Sequence, residues 1–324
     1  MKKYRVVAAV LALVICVSVC GCKGKGGEYT AEENGVISGE SELVPKEEIE
    51  ITPKPSEPEQ TEESGAQNEQ ELPAADNEIE SKEAMSTKFA EINSLDTAQV
   101  PWGPGTNFNS DGKPTACVML QEDYGSYNAD FVRCDEKYKD KVFLTFDEGY
   151  ENGYTGAILD VLKEKGVSAV FFVTLPYVKS EPELVKRMID EGHIVGNHTA
   201  RHPNMTTITP DEAYDEVADL HNYVKENFGY GMYLFRFPEG AFSEQNIALL
   251  QKMGYRSVFW SFAYKDWDPD NQYDTETAMK KVTGSLHDGE IFLLHAVSKT
   301  NAEILGDFID YVRNAGYTFA VYEK

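Results

Sequence analysis

Residues 141–174, KVFLTFDEGYENGYTGAILDVLKEKGVSAVFFVT, decide the fold. Val142-Phe143-Leu144-Thr145-Phe146 is a continuous apolar run of the length of one buried strand. The stretch from Gly153 to Lys165 reads as a helix and stops at Gly166, the residue type that most readily takes the left-handed turn at a helix end. Ala169 to Thr174 is a second apolar run. Strand, helix and strand in this order, with both strands apolar, predict a parallel pair joined by a helical crossover.

The alternation continues on both scales, in pattern and in punctuation. Pro182 to Glu191 is a helix stopped by Gly192, and Ile194-Val195-Gly196-Asn197 is a short third strand. Thr209-Pro210 opens an amphipathic helix to about Phe228, with Thr209 as the cap and proline at the first helical position. Further strands are expected at Phe235-Arg236-Phe237, Ser257-Val258-Phe259-Trp260, Ile291 to Leu294 and Thr318 to Val321. Helices at Glu244 to Met253, Thr275 to Leu286 and Asn301 to Ala315 separate them. Seven strand–helix units predict a parallel sheet covered by helices, in the form of a barrel or of an open doubly wound sheet. The polar residues favour the barrel. Asp147 follows the first strand, His198 the third, Asp266 the fifth and His295 the sixth, and Arg236 lies in the fourth. In a barrel the C-terminal ends of the strands converge on one mouth, whereas an open sheet would string them along a line. The expected fold is therefore a distorted (β/α)7 TIM-like barrel.

Upstream the texture differs. The formal charge is −25, and between Glu28 and Val100 there are 20 acidic against 4 basic side chains. This stretch is rich in Glu, Pro, Ser, Gln and Gly, so it cannot bury enough apolar area to offset its ordering entropy. Residues 22–97 are expected to be a disordered acidic tether kept extended by its own charge, with the folded domain at 98–324. An acidic chain without a basic stripe excludes nucleic acid as a partner, because phosphate neutralisation needs clustered Lys and Arg. Residues 98 to 140 carry no assigned role.

Residues 1–21 read as an export signal. Lys2, Lys3 and Arg5 precede an apolar run, Val6 to Val19, too short for a comfortable membrane span. The following Val19-Cys20-Gly21-Cys22 is similar to a bacterial lipoprotein signal, which implies lipidation of Cys22 and an extracytoplasmic protein anchored to the membrane. A simple cleaved signal or an uncleaved anchor is the alternative. Of the remaining cysteines, Cys117 and Cys134 lack metal-site spacing. They are either a disulfide of an exported protein or two buried thiols.

Two segments carry candidate chemistry. His198-Thr199-Ala200-Arg201-His202-Pro203 holds two imidazoles four residues apart, and Pro203 drives His202 out of helical geometry. The pair then sits in a turn at a strand exit and can face one cation. Asp147-Glu148-Gly149 puts adjacent carboxylates at a strand end, one for a metal and one for proton transfer. The bland readings are hydrogen-bonded structural histidines and acids favoured by a helix N-terminus. His193 reads as structural, His221 as a surface or packing residue, and His287 as a cationic residue at a helix C-terminus.

In this order the segments resemble the polysaccharide deacetylase family, carbohydrate esterase family 4 with the NodB-homology domain. Five motifs carry the resemblance: Thr145-Phe146-Asp147-Glu148-Gly149, His198 to His202, Arg236-Phe237-Pro238-Glu239-Gly240, Asp266-Trp267 and Leu294-His295. Residues 146–155, 191–198, 258–261 and 294–299, with Pro101-Trp102-Gly103, are similar to the branch that deacetylates N-acetylmuramic acid in peptidoglycan on the way to the muramic δ-lactam. The resemblance implies hydrolysis of N-acetyl groups on peptidoglycan or a related glycan. It implies a divalent ion, a role that zinc fits, on His198 and His202, with Asp147 as general base and His295 as general acid. By the family pattern Arg236 orients Asp147, Asp266 raises the basicity of His295, and the backbone N–H of Glu239 helps hold the oxyanion. The family's second aspartate, a third metal ligand, is Glu148 here; the charge is kept, but a longer side chain must arrive by a different rotamer. Trp260 and Trp267 are expected as site walls, with sugar stacking a weaker possibility. An N-acetylglucosamine deacetylase and a catalytically silent glycan-binding lipoprotein are the rival functions.

Overall fold

The computed structural model describes residues 77–323. The signal segment, Cys22 and most of the acidic stretch lie outside the described residues. The chain enters with helix α1 (Lys82–Ile92) and helix α2 (Thr115–Tyr124). Strand β1 (Ala129–Asp130) follows, and then β2 (Lys141–Glu148), α3 (Thr155–Lys165) and β3 (Val170–Val173). Next come α4 (Leu175–Ser180), α5 (Pro182–Asp190), β4 (Ile194–Asn197) and α6 (Pro210–Phe228). After β5 (Leu234–Phe235), α7 (Glu244–Lys252), β6 (Arg256–Val258) and β7 (Phe262–Ala263), the chain closes through α8 (Thr275–Thr283), β8 (Glu290–His295), α9 (Lys299–Asn314) and β9 (Thr318–Phe319).

The strand order is β1-β6-β5-β4-β3-β2-β8-β7, with β9 joining the lower end of β2. Every pairing between these strands is parallel. The sheet curls into a half-barrel with helices outside, the expected distorted (β/α)7 form. The local signals act as read: Gly166 caps α3 at φ 59°, and Thr209 with Glu212 makes a capping box at the start of α6.

Strand alternation sorts the core into two layers. Phe143, Val170, Phe172, Ile194, Leu234, Val258 and Ile291 share an inner cluster. Val142, Leu144, Phe146, Phe171, Val173 and Val195 belong to the cluster packed under the helices. Successive side chains of a strand take opposite faces, so the inward set of β2 runs Phe143, Thr145, Asp147, and the outward set ends at Glu148.

Residues 98 to 140 complete the sheet. β1 pairs with β6 through Ala129↔Ser257 and Asp130↔Val258. Gln121 of α2 pins it, donating to the Ala129 carbonyl at 2.9 Å and accepting from the Phe131 N–H at 2.8 Å.

The expected boundary at residue 98 is corrected by α1. Met85, Phe89 and Ile92 of this helix are buried, Tyr214 donates to the Glu80 carbonyl at 2.6 Å, and Gln245 donates to the Ile92 carbonyl at 3.2 Å. The folded domain thus begins upstream, and the acidic stretch is not a tether to its end. Three apolar residues at helical spacing suffice to dock a helix whose other faces are polar, a pattern that averaged composition hides.

Candidate active site

β2 delivers Asp147 and β8 delivers His295, and the two are direct partners in the parallel register between these strands. Both belong to inward-facing sets, so they project into the same mouth. With His198, His202, Glu239, Trp260 and Trp267 they line one cavity of about 600 Å³. Gly149, Tyr150, Leu293 and Val297 complete the lining. Leu293, not Leu294, faces the cavity, because Ile291, Leu293 and His295 alternate inward on β8.

Asp147 is held from beneath. The guanidinium of fully buried Arg236 donates to Asp147 Oδ1 at 2.8 Å and to Thr145 Oγ1 at 2.8 Å. Its remaining N–H groups reach the Val258 and Phe259 carbonyls at 2.9 and 3.0 Å. Its Cζ lies 4.2 Å from the Phe172 ring centroid. Gly196 makes room for that ring: a Cβ there would stand 2.5 Å from Phe172 Cδ1. Burial alone would raise the Asp147 carboxyl pKa, but Arg236, His198 and His295 outweigh it and hold the group below the ordinary carboxylate range. Asp147 is therefore ionised and fixed.

The histidine turn is strained and clamped. Thr199 and His202 have positive φ, 72° and 58°, a backbone state that persists only where surrounding contacts enforce it. The His202 N–H donates to Thr199 Oγ1 at 2.9 Å, and the Thr199 N–H donates to Asn197 Oδ1 at 2.9 Å. Glu216 of α6 accepts from the Arg201 N–H at 2.8 Å and from its Nε at 2.6 Å. His198 Nδ1 lies 2.8 Å from the Arg236 carbonyl oxygen, which only accepts, so Nδ1 carries the proton. The Nε2 lone pair then points toward Asp147 Oδ2, 3.5 Å away, with the His202 ring centroid 4.8 Å from that of His198. Burial pushes the His198 pKa down to about 4, which keeps the ring neutral and able to donate to a metal.

His295 is built differently. Its Nδ1 lies 2.7 Å from Asp266 Oδ1, and its backbone N–H donates to Asp266 Oδ2 at 2.8 Å. Burial opposes the charged ring, but the Asp266 carboxylate overcomes it and raises the His295 pKa above its usual value. One imidazole is thus held toward the neutral form and another is favoured as the cation, in one cavity.

The walls are aromatic. Trp102 donates to the Gly240 carbonyl at 2.7 Å and packs 4.9 Å from Trp260. Gly240 is needed for this approach, since a Cβ would stand 2.7 Å from the Trp260 ring. Glu239 sits at φ 57° in the turn from Pro238 to Gly240, on the cavity lining. Trp267 is 53% exposed although it lies 6.0 Å from the His295 ring, which leaves a free aromatic face at the rim.

The structure thus gathers Asp147, His198, His202, Glu239, Trp260, Trp267 and His295, and puts Arg236 and Asp266 directly behind them. It does not bring in Glu148. That side chain is fully buried outside the lining, and neither carboxyl oxygen has a hydrogen-bond partner. Burial, then Glu151 and Asp147, push its pKa well above the ordinary value. Strand alternation is the cause: the residue after an inward Asp147 faces the helices. His287 is also corrected, because α8 ends at Thr283 and leaves it buried, with burial lowering its pKa to about 4. His193 is structural as read, accepting from the Ala169 N–H at 3.2 Å. His221 is a buried packing residue, 2.6 Å from the Tyr255 hydroxyl. Cys117 and Cys134 are free thiols, the first buried and the second exposed. Tyr150 and Leu293 escaped the sequence reading, though inward alternation from His295 would have found the latter.

Among the described residues no group of three or more His, Cys, Asp or Glu forms a closed metal cage. Two imidazoles beside an ionised carboxylate, opening on a cavity, nevertheless fit a divalent ion that keeps open coordination positions.

A curled parallel barrel with a fixed carboxylate, a histidine pair and a carboxylate-backed histidine at its mouth defines a hydrolase of the sugar-deacetylating class. The chain belongs to the polysaccharide deacetylase family: residues 135–258 match its model, and similarity to curated relatives extends over more of the chain. The peptidoglycan-N-acetylmuramic acid deacetylase PdaA of Bacillus subtilis is 41% identical over 232 residues, 71% of this chain and 87% of that one. The solved structure of that family 4 carbohydrate esterase superposes with a TM-score of 0.65 at 40% identity, covering 69% of this chain and 95% of the other. The peptidoglycan-N-acetylglucosamine deacetylase PgdA of Listeria monocytogenes is 33% identical over 188 residues, 58% of this chain and 39% of that one. Deacetylases of this family are metal-dependent in general.

Proposed function

We propose that this protein hydrolyses the N-acetyl group of N-acetylmuramic acid in peptidoglycan. The observation that carries the reading is the in-register pair of Asp147 and His295 across one cavity, the first ionised, the second favoured as the cation. Hydrolysis of an amide needs a base for the attacking water and an acid for the departing amine. Asp147 accepts a proton from that water, and His295 Nε2–H gives one to the amine nitrogen. Water and amide become acetate and a protonated sugar amine. Each such transfer is worth about 10²–10⁴ in rate. His198 and His202 would hold a divalent ion, zinc in our reading, which would supply Lewis-acid polarisation of the carbonyl and acidify water. Arg236 fixes Asp147, the Glu239 peptide N–H faces the developing oxyanion, and Trp260 with Leu293 walls the acetyl methyl.

Preference for muramic acid rests on similarity to PdaA. The apolar run before Cys22 supports an extracytoplasmic lipoprotein, and the acidic stretch supports a tether that gives the domain reach into the wall. The test is mass analysis of digested peptidoglycan before and after incubation with the protein. Loss of acetyl groups from muramic acid is expected; deacetylation of chitooligosaccharide alone would move the substrate to N-acetylglucosamine, and intact glycan from metal-loaded protein would end the hydrolase reading.

A further inference from the structure

Behind the acid lies a second tier of polar groups that the mechanism above leaves unused. Asn301, buried in the first turn of α9, donates from Nδ2 to Asp266 Oδ2 at 2.6 Å and to the His295 carbonyl at 3.1 Å. Its Oδ1 accepts from the Tyr264 hydroxyl, and its backbone N–H donates to Ser298 Oγ, the cap of the helix, at 3.1 Å. Two acceptors on one side of the amide and a hydroxyl donor on the other leave only one orientation that satisfies all three. Ser298 in turn bonds Gln272, whose Nε2 donates to the Asp266 carbonyl at 2.9 Å. Asp266 is therefore gripped at its carboxylate by Asn301 and at its backbone by Gln272.

We propose that Asn301, locked by Tyr264, is a positioning residue for the general acid: it fixes the rotation of the Asp266 carboxylate so that Oδ1 stays on the His295 Nδ1–H. The inference rests on the general-acid role of His295 proposed above. Without Asn301 the carboxylate keeps only its two contacts with His295 itself, the backbone N–H and the ring Nδ1–H, and nothing outside that residue fixes its rotation. The Nδ1–H···Oδ1 contact then lengthens and the imidazolium loses support. The other charges facing His295 are Asp147 on the adjacent strand and Arg236 behind it. Asn301 contacts neither among the described hydrogen bonds; it reaches the acid through the Asp266 carboxylate and the His295 carbonyl, and only the first of these touches the partner of the ring.

The experiment is the pH–rate profile of metal-loaded protein on N-acetylated glycan, paired with an NMR titration of the His295 ring, for Asn301→Ala, Asn301→Asp and Tyr264→Phe. For Asn301→Ala we expect kcat to fall about 10–100-fold, as is typical for loss of an outer-shell partner, with KM changed less than about threefold. The alkaline limb and the ring titration should both move to lower pH by about half a unit or more. Asn301→Asp keeps the shape but sets an acceptor against Asp266, so it should lose more activity than alanine; a role in packing alone would rank the two the other way. Tyr264→Phe should shift the same limb in the same direction by less, and it serves if either Asn301 variant fails to fold. A ring titration unmoved in the folded variants, or an aspartate that outperforms alanine, overturns the inference. His295→Asn separates the two claims: if it retains full activity the acid assignment itself falls, whatever Asn301 does.

Discussion

Asp147 and His295 are register partners on adjacent parallel strands, at the ends of Lys141–Glu148 and Glu290–His295. The barrel needs no loop to bring base and acid together, since backbone pairing sets their spacing. The opposite directions in which their pKa values move follow from what stands behind each, a guanidinium for Asp147 and a carboxylate for His295.

Asp147→Asn should therefore keep the fold and lose the base. The amide oxygen still accepts from Arg236 Nη1, so the buried cation keeps a partner. We expect kcat to fall by about 10²–10⁴ with little change in the thermal midpoint. Acetate release under saturating glycan, alongside a melting curve, checks both halves.

The acid has its own signature in pH. Asp266 raises the His295 pKa against burial, so the alkaline limb of the rate profile should lie above the ordinary histidine value. Asp266→Asn removes the negative charge and leaves burial, which favours the neutral ring. The limb should then move to lower pH, and kcat at neutral pH should fall by about tenfold or more. A limb that stays in place would show that some other group sets it.

Much of this site was legible in the chain because its residues end apolar strands, and a polar residue there has few reasons to exist other than chemistry. The inner and outer layers were not legible, since a run such as Val142 to Phe146 is apolar on both faces and hides its own alternation. Glu148 was expected beside the histidines from the adjacent carboxylates and the family pattern, and a run that hides its alternation offered nothing against it. The strand count rose for a related reason: Ala129–Asp130 and Phe262–Ala263 have two residues each, too short for any periodicity. α1 was hidden by the acidic residues around Met85, Phe89 and Ile92.

Glu148 offers a direct test of that layering. Its carboxyl is buried without a hydrogen-bond partner and its pKa is raised well above the ordinary value. An acid whose folded pKa is raised stabilises the fold least where the unfolded chain ionises it, so stability falls as pH climbs above the ordinary glutamate value toward the folded one. Glu148→Leu should remove that fall and raise stability at pH 7 by about 1–3 kcal/mol, the usual cost of an unsatisfied buried polar group. Metal stoichiometry should stay as in the parent protein. Loss of metal from the folded variant would restore Glu148 as a ligand.

Buried histidines away from the active site should add to the acid side of the stability curve. Burial lowers His193 and His287 to about 4, while the unfolded chain takes up protons near 6.5. Stability should be complete above that value and drain away as pH falls toward 4, because the unfolded state binds the extra protons. His193→Gln, measured by urea denaturation at pH 7 and pH 5, should flatten the difference by about 1 kcal/mol or more.

The helix that precedes the expected boundary makes the last case. Met85, Phe89 and Ile92 are buried by α1, and Lys82 pairs with Asp215 of α6 at 2.8 Å. The ion pair is half exposed and adds little; the apolar residues matter, at about 1.5–3 kcal/mol for each large side chain withdrawn from water. A chain beginning at residue 98 would uncover the surface of α6 and α7 that these residues cover. It should melt well below a chain beginning at residue 77, with the deficit set by several kcal/mol. Because α7 follows directly on the turn that carries Glu239, the shorter chain should also lose activity before it unfolds. Equal melting temperatures for the two chains would mean that α1 covers nothing the domain needs.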